Sequence, residues 1–353
     1  MIKTVDDLHR FLRAAMQLEH ATIPPYLTAL YSIHPQTNSD AFHVLRVVAV
    51  EEMLHLTLAA NVLNAVGGTP DLTAPGFVPE FPAYLPDGES DFEVSRERFC
   101  RDSLETFLKI ERPREAPSEE ARVLHREHRG RRLMAAAPGA TGMQFYSIGE
   151  FYREIERGLR RLHAEQGDGL FCGEQARQVT PEYYYSGGGE VVPVTDLHSA
   201  IKALTLIAEQ GEGVGGRIYD VERELAHYYR FEQLLLGRYY LDGDESGHPT
   251  GPPLAVDWDA VYPIKKNARV EDFPEGSELR AAALGFNASY ADFLDLLTRA
   301  YTGSPDLLVP AVGDMFRLRE LMTALIRNPI PGLDGVNAAP TFELAAVAGA
   351  VGS

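Results

Sequence analysis

A carboxylate and an imidazole stand three residues apart in Glu51-Glu52-Met53-Leu54-His55. The surrounding run, from about residue 41 to 66, has helical periodicity, and Leu45, Val48, Glu52, His55, Ala59 and Val62 fall on one face. That face is otherwise apolar, and an unpaired charge on it would be expensive to bury. A metal ion satisfies both groups, and Glu-x-x-His is the ligand pair that di-iron and di-manganese four-helix bundles use twice. The spacing recurs in Glu224-Leu225-Ala226-His227, where Val221, Glu224, Tyr228, Phe231 and Leu235 share a face with His227 at its edge. Such bundles also take a lone Glu from each of two further helices. Glu19, on the stripe Leu12, Ala15, Glu19, Ile23 and Tyr26, supplies the first. The second is open. Glu150 lies near the start of a helix over 147–165, but opposite its stripe of Ile148, Tyr152, Ile155, Leu159 and Leu162, and Ser147 with Glu150 also fits a capping box. Glu154, Glu209 and Glu212 compete for the same role. The predicted ligands are therefore Glu19, Glu52, His55, Glu150, Glu224 and His227. Mixed carboxylate and imidazole donors suit two ions of Fe, with Mn second, better than Zn.

The elements that must position these groups follow from periodicity and punctuation. One helix is expected from Thr4 to about Tyr31, kinked by Pro24-Pro25 just past Glu19. A loop over 34–39 leads to a second, from about Asp40 to Val66, which stops at Gly67-Gly68. Glu19 and Glu52 are symmetric about that loop, so an antiparallel hairpin sets them at one height. Shorter helices are expected over Ser95–Ile110, Ser147–Glu165 and Asp196–Gln210, and a longer one over Arg217–Tyr240. Residues 112–140 read as a charged, solvated excursion. Residues 170–195, with Tyr183-Tyr184-Tyr185, Gly187-Gly188-Gly189 and Val191-Val192, read as a small β-hairpin. Two amphipathic helices, 277–301 and 305–328, close the chain, with a small apolar tail after 345 that is expected to fray.

Composition narrows the class. The chain has 353 residues, is 45% apolar and carries a formal net charge of −18. That excess of acid argues against nucleic acid or an anionic membrane as partner. Two cysteines, Cys100 and Cys172, are too few for a disulfide framework. The first residues lack the apolar core of a signal peptide, and no run of about 18 apolar residues is present. A cytoplasmic location is the resulting expectation.

Several motifs carry a family resemblance. The run Leu18-Glu19-His20-Ala21-Thr22-Ile23-Pro24-Pro25-Tyr26-Leu27 resembles the ferritin-like family associated with iminophenyl-pyruvate dimer synthases. So do Glu51–His55 with Asn61-Val62-Leu63, Ile148-Gly149-Glu150-Phe151-Tyr152, Glu209-Gln210-Gly211-Glu212-Gly213 and Glu224–Phe231. The resemblance spans about 4–240, and Ala339-Pro340-Thr341-Phe342-Glu343 is similar to a motif near the family's end. It implies a mainly α fold: a ferritin-like four-helix bundle with inserted irregular segments, a small β-hairpin and extra C-terminal helices. The bundle would occupy 1–240, with insertions at about 69–146 and 166–195, and a C-terminal helical extension, 241–353, would pack on it. The best-known relatives are much longer enzymes of bisindole pigment pathways, which couple oxidised amino-acid imines. This chain matches only their ferritin-like part and its C-terminal helices.

The functional expectation is a non-haem di-metal oxidase or oxygenase of secondary metabolism, using O2 or peroxide on a small, amino-acid-derived substrate. Tyr26, Tyr152, Tyr228 and Tyr229 are candidates to line its pocket. Arg153, Arg217 and Arg230 are candidates to receive a substrate carboxylate. The rival reading is a metal-binding or substrate-delivery protein without turnover of its own. A homo-oligomer or a partner enzyme of the same pathway is compatible with either.

Overall fold

The computed structural model describes residues 1–86, 91–113, 145, 147–185, 187–213, 217–220 and 222–344. Eight α-helices lie among them: α1 (Val5–Ser32), α2 (Ser39–Ala65), α3 (Arg101–Ile110), α4 (Ile148–Gln166), α5 (Leu197–Glu212), α6 (His227–Leu236), α7 (Glu278–Tyr301) and α8 (Leu308–Ile326). The charged stretch from 114 to 144 and the tail from 345 lie outside the described residues.

Helices α1 and α2 form the expected hairpin. Thr4 and Asp7 close a reciprocal capping box at the start of α1. The helix then runs through Pro24 and Pro25 without a break. Two prolines remove two amide donors, and nearby hydroxyls bond the backbone locally: Thr22 donates to the Glu19 carbonyl and Thr28 to that of Pro24. Helix α2 is buried along nearly its whole second half. It packs against α1 and α5, and α4 closes the square by packing on both α1 and α5. The four-helix bundle is thus α1, α2, α5 and α4. Helices α3 and α6 pack on each other beside α2, with Phe107 and Phe231 both against Tyr26. Helices α7 and α8 form a further hairpin, α7 against α2 and α8 against α1. One continuous apolar core runs from Ile2 to Phe342.

Three elements differ from expectation, each for an identifiable physical reason. Helix α3 begins at Arg101, not Ser95, because tertiary partners take the preceding amides. Val94 pairs with Ala83, Arg96 N–H donates to Asn267 and Phe99 N–H to Ser32. Cys100 then supplies the N-cap. The helix expected over 217–240 starts only at His227. Before it, Asp220 Oδ1 accepts the amides of Glu222 and Glu224, and Tyr219 pairs with Leu225. An Asp that bonds the backbone two and four residues on offers the chain an alternative to helix.

The hairpin expected over 170–195 is absent among the described residues, which carry no strand there. Short turns take some of its backbone groups, and side chains take others where a partner strand would have done so. Asn61 of α2 donates to the Val179 and Val192 carbonyls and accepts the Val179 amide. Gln178 donates to the Asn61 carbonyl and accepts the Val194 amide. The glycines land on α2. Gly188 has a positive φ of 76°, and a Cβ there would meet Glu51 Cα at 2.9 Å. Only glycine admits both the conformation and the close approach.

Replacing Asn61 by Ala strands three buried backbone groups in this segment. Each such group costs about 1–3 kcal/mol. The Asn61→Ala variant should lose at least ~3 kcal/mol of stability by chemical denaturation. A loss under about 1 kcal/mol would show that the segment finds other partners.

Candidate metal centre

Helices α1 and α2 bring Glu19, Glu52 and His55 together, and the hairpin sets them at one height as the loop symmetry requires. His55 Nδ1 lies 3.3 Å from Glu19 Oε2 and 3.9 Å from Glu52 Oε1. A second trio shares Glu52 and adds Glu111 and His227. His227 Nδ1 stands 3.0 Å from Glu52 Oε1 and 3.4 Å from Glu111 Oε2. In each trio the ligand-type atoms lie within 4.8 Å of one another, and all five residues are buried. The two imidazoles stack with ring centres 5.5 Å apart.

The outer atoms of these groups are held, and the inner ones are not. Tyr152 donates to Glu19 Oε1, and Tyr26 donates to Glu111 Oε1. The Thr22 hydroxyl stands 3.1 Å from Glu52 Oε2. His55 Nε2 meets Gln210 Oε1 at 2.8 Å, and Gln210 is itself oriented by donating to the Gly188 carbonyl. His227 Nε2 meets Glu51 Oε2 at 2.7 Å. These partners occupy Nε2 of each imidazole and turn Nδ1 of each toward the carboxylates of its trio. His227 Nδ1 is within ion-pair range of two carboxylates yet has no hydrogen-bond partner. Three carboxylate oxygens and two imidazole nitrogens therefore face one another across a buried space. That donor set fits two cations, with Glu52 common to both trios.

Electrostatics point the same way. Burial, followed by the Glu111 charge, pushes the Glu52 carboxyl up to about 8. Burial opposes charging of His55, but the Glu19 hydrogen bond and the Glu52 charge outweigh it and the net shift is upward. Burial also opposes charging of His227, and Glu111, Glu51 and Glu52 together raise it well above its ordinary value. Glu51 is lowered: burial raises it, and the His227 hydrogen bond together with the His227, Arg230 and His55 charges more than offsets that. Burial first, then the neighbouring carboxylates, hold the phenols of Tyr26 and Tyr152 protonated. They remain donors. Protons take the place that cations would otherwise fill.

The other expected ligands lie elsewhere. Glu224 sits on the turn before α6, its side chain 57% exposed and 2.6 Å from Arg230. Glu150, in the first turn of α4, is in neither trio. Glu154 binds the Ile2 amide. Glu212 binds the Gly149 amide at the start of α4. Glu209 is half-buried and raised by burial and by Asp220. In the bundle, α4 and α5 thus offer the cluster a phenol and an amide, Tyr152 and Gln210. Glu111 was not singled out by the sequence reading. Its signal was present: Leu104, Phe107 and Glu111 follow helical spacing on the buried side of α3.

Comparison with known proteins agrees with this architecture. The chain is 27% identical to dichlorochromopyrrolate synthase of Lentzea aerocolonigenes, over 97% of its own length but only 36% of the relative's. The chain thus spans about a third of that relative's length. Its fold is similar to that of a ferritin-like protein from Caulobacter vibrioides, with a TM-score of 0.58 and 22% identity, covering 91% of this chain and 97% of the other. No helix among the described residues is long and apolar enough to cross a membrane. The Ferritin-like family profile matches residues 12–236, and the chain belongs to that family.

Proposed function

We propose that this protein is a di-metal oxidase or oxygenase of secondary metabolism that acts on a small, amino-acid-derived substrate with O2 or peroxide. One observation carries the reading: three inward carboxylate oxygens and the Nδ1 atoms of two imidazoles converge in a core where the outer atoms are already held by other groups. Glu19, Glu52 and His55 would hold one ion, and Glu52, Glu111 and His227 the other. Carboxylate-rich sites with imidazole favour Fe, then Mn. A bound Fe pair would supply the redox chemistry with O2 or peroxide. The protein's own groups do the rest. Tyr26, Tyr152 and Thr22 fix the carboxylates, Glu51 and Gln210 fix the imidazoles, and the surrounding core excludes water. The relative's name, a synthase of dichlorochromopyrrolate, supports a role in small-molecule synthesis.

Protein loaded anaerobically with Fe(II) should hold about two ions per chain. Glu111→Gln should hold about one, whereas Glu224→Gln and Glu150→Gln should keep both. Plasma mass spectrometry after gel filtration reads this directly. A wild-type value persistently below one sinks the dinuclear reading, and a drop in Glu224→Gln alone would make Glu224 a ligand. Uptake of O2 that requires added substrate separates an oxidase from a metal-binding protein without turnover.

The raised groups also set a pH dependence. Between the ordinary carboxylate range and about 8, folded metal-free protein keeps a proton on Glu52 that the unfolded chain has lost. Stability contributed this way falls as pH rises across that window. His55 and His227, both raised, act in the same direction as pH climbs through their folded values. Glu51, being lowered, matters only at more acid pH. The metal-free melting temperature should therefore fall from about pH 5 to about pH 8.5, and the shift produced by metal should grow over the same range. Scanning calorimetry of both forms checks it; a metal shift that shrinks with rising pH contradicts proton-for-metal exchange.

A further inference from the structure

A surface cleft of about 280 Å³ lies on the His227 side of the cluster. Asp40 and Val44 of α2, Glu224 of the preceding turn, Arg230 and Gln233 of α6, and Tyr239 line it, with His43 at its edge. Arg230 connects this cleft to the centre. Its Nη2 is 2.6 Å from the exposed Glu224 and 3.4 Å from the buried Glu51. Glu51 in turn holds His227 Nε2. The guanidinium therefore stands between the surface carboxylate of Glu224 and the second trio.

The cleft wall contains an unmet acceptor. Gln233 is 4% exposed, and its Oε1 has no hydrogen-bond partner. It lies three residues from Arg230 on the same helix, so the two are neighbours on one face. An incoming cation, or the guanidinium it displaces, would satisfy that oxygen. The mouth is built from metal-ligand side chains, two carboxylates and an imidazole, on a chain with a formal net charge of −18. Carboxylates at the rim of a concave site raise the local concentration of a cation and its rate of arrival.

We propose that this cleft is the port through which divalent metal reaches the cluster, with Glu224 and Asp40 collecting the ion and Arg230 acting as the gate. The Glu-x-x-His spacing at Glu224 is then a relay to the site and not a ligand pair within it. The ion takes Glu224 from Arg230, the guanidinium leaves Glu51, and the way to His227 opens. No bond is made or broken apart from these ionic contacts. The assignment rests on the dinuclear reading for its destination.

The test is the rate of Co(II) uptake by the full-length protein, followed by ligand-field absorption after stopped-flow mixing, with the final stoichiometry measured separately. Asp40→Asn/Glu224→Gln should load about tenfold more slowly and reach the wild-type stoichiometry. Added salt should slow the wild type and leave the double variant nearly unaffected. Arg230→Met should load faster than wild type. Equal rates for wild type and double variant, with equal salt dependence, would overturn the port and leave the cleft to another ligand. A lower final stoichiometry in the double variant would overturn it in favour of a ligand role. A wild type that binds no metal removes the dinuclear reading itself, which the other outcomes leave intact.

Discussion

The structure depends on one electrostatic constraint: three carboxylates and two imidazoles share a buried space in which Glu52 faces both rings. Like charges so placed cannot all be ionised without a counter-charge. The fold answers in two layers. The inner layer is left to protons or cations. The outer layer is fixed by neutral hydrogen-bonding groups and one further carboxylate, drawn from four helices. Tyr26 and Thr22 come from α1, Tyr152 from α4, Gln210 from α5 and Glu51 from α2. Each of the four bundle helices therefore has a stake in the cluster, including the two that contribute no ligand-type atom.

That arrangement accounts for features remote from the centre. Gln210 can orient His55 only while its own amide is held by the Gly188 carbonyl. Gly188 can reach that position only because it lacks a side chain above Glu51. The segment that carries it has no ladder of its own and is stitched to α2 by Asn61 and Gln178. Neutral hydrogen bonds thus hold this segment at two points, on Asn61 about two turns along α2 from His55 and on Gln210, which meets the imidazole. In a low-dielectric interior such bonds are worth keeping, since each unmet member is costly.

How much of this was legible in the sequence follows from where each residue sits. Glu19, Glu52 and His55 lie in the middle of long helices, where the 3.6-residue period assigns a face without tertiary help. The helical bundle was legible for the same reason. Glu224 was assigned by that same period, and wrongly placed on a helix, because the competing turn is set by a single carboxylate, Asp220. Glu111 went unnoticed because it ends a short helix at the edge of a charged stretch, where a buried acid looks like one more surface charge. The hairpin failed because Val- and Tyr-rich residues flanking glycines satisfy their backbone by bonding to α2. Only the fold reveals that partner, more than a hundred residues away in sequence.

The two halves of the cluster are built differently, and the difference has a physical consequence. Glu19, Glu52 and His55 stand on continuous helix, held by bonds on both sides. Glu111 is the C-cap of α3, and His227 is the first residue of α6. Helix ends are where backbone groups are unmet and opening costs least. The cluster thus combines a half set on the continuous α1–α2 hairpin with a half set on two helix ends. The second half is also the one that Glu51 and Arg230 connect to the surface, so the half built on helix ends is the one linked to solvent.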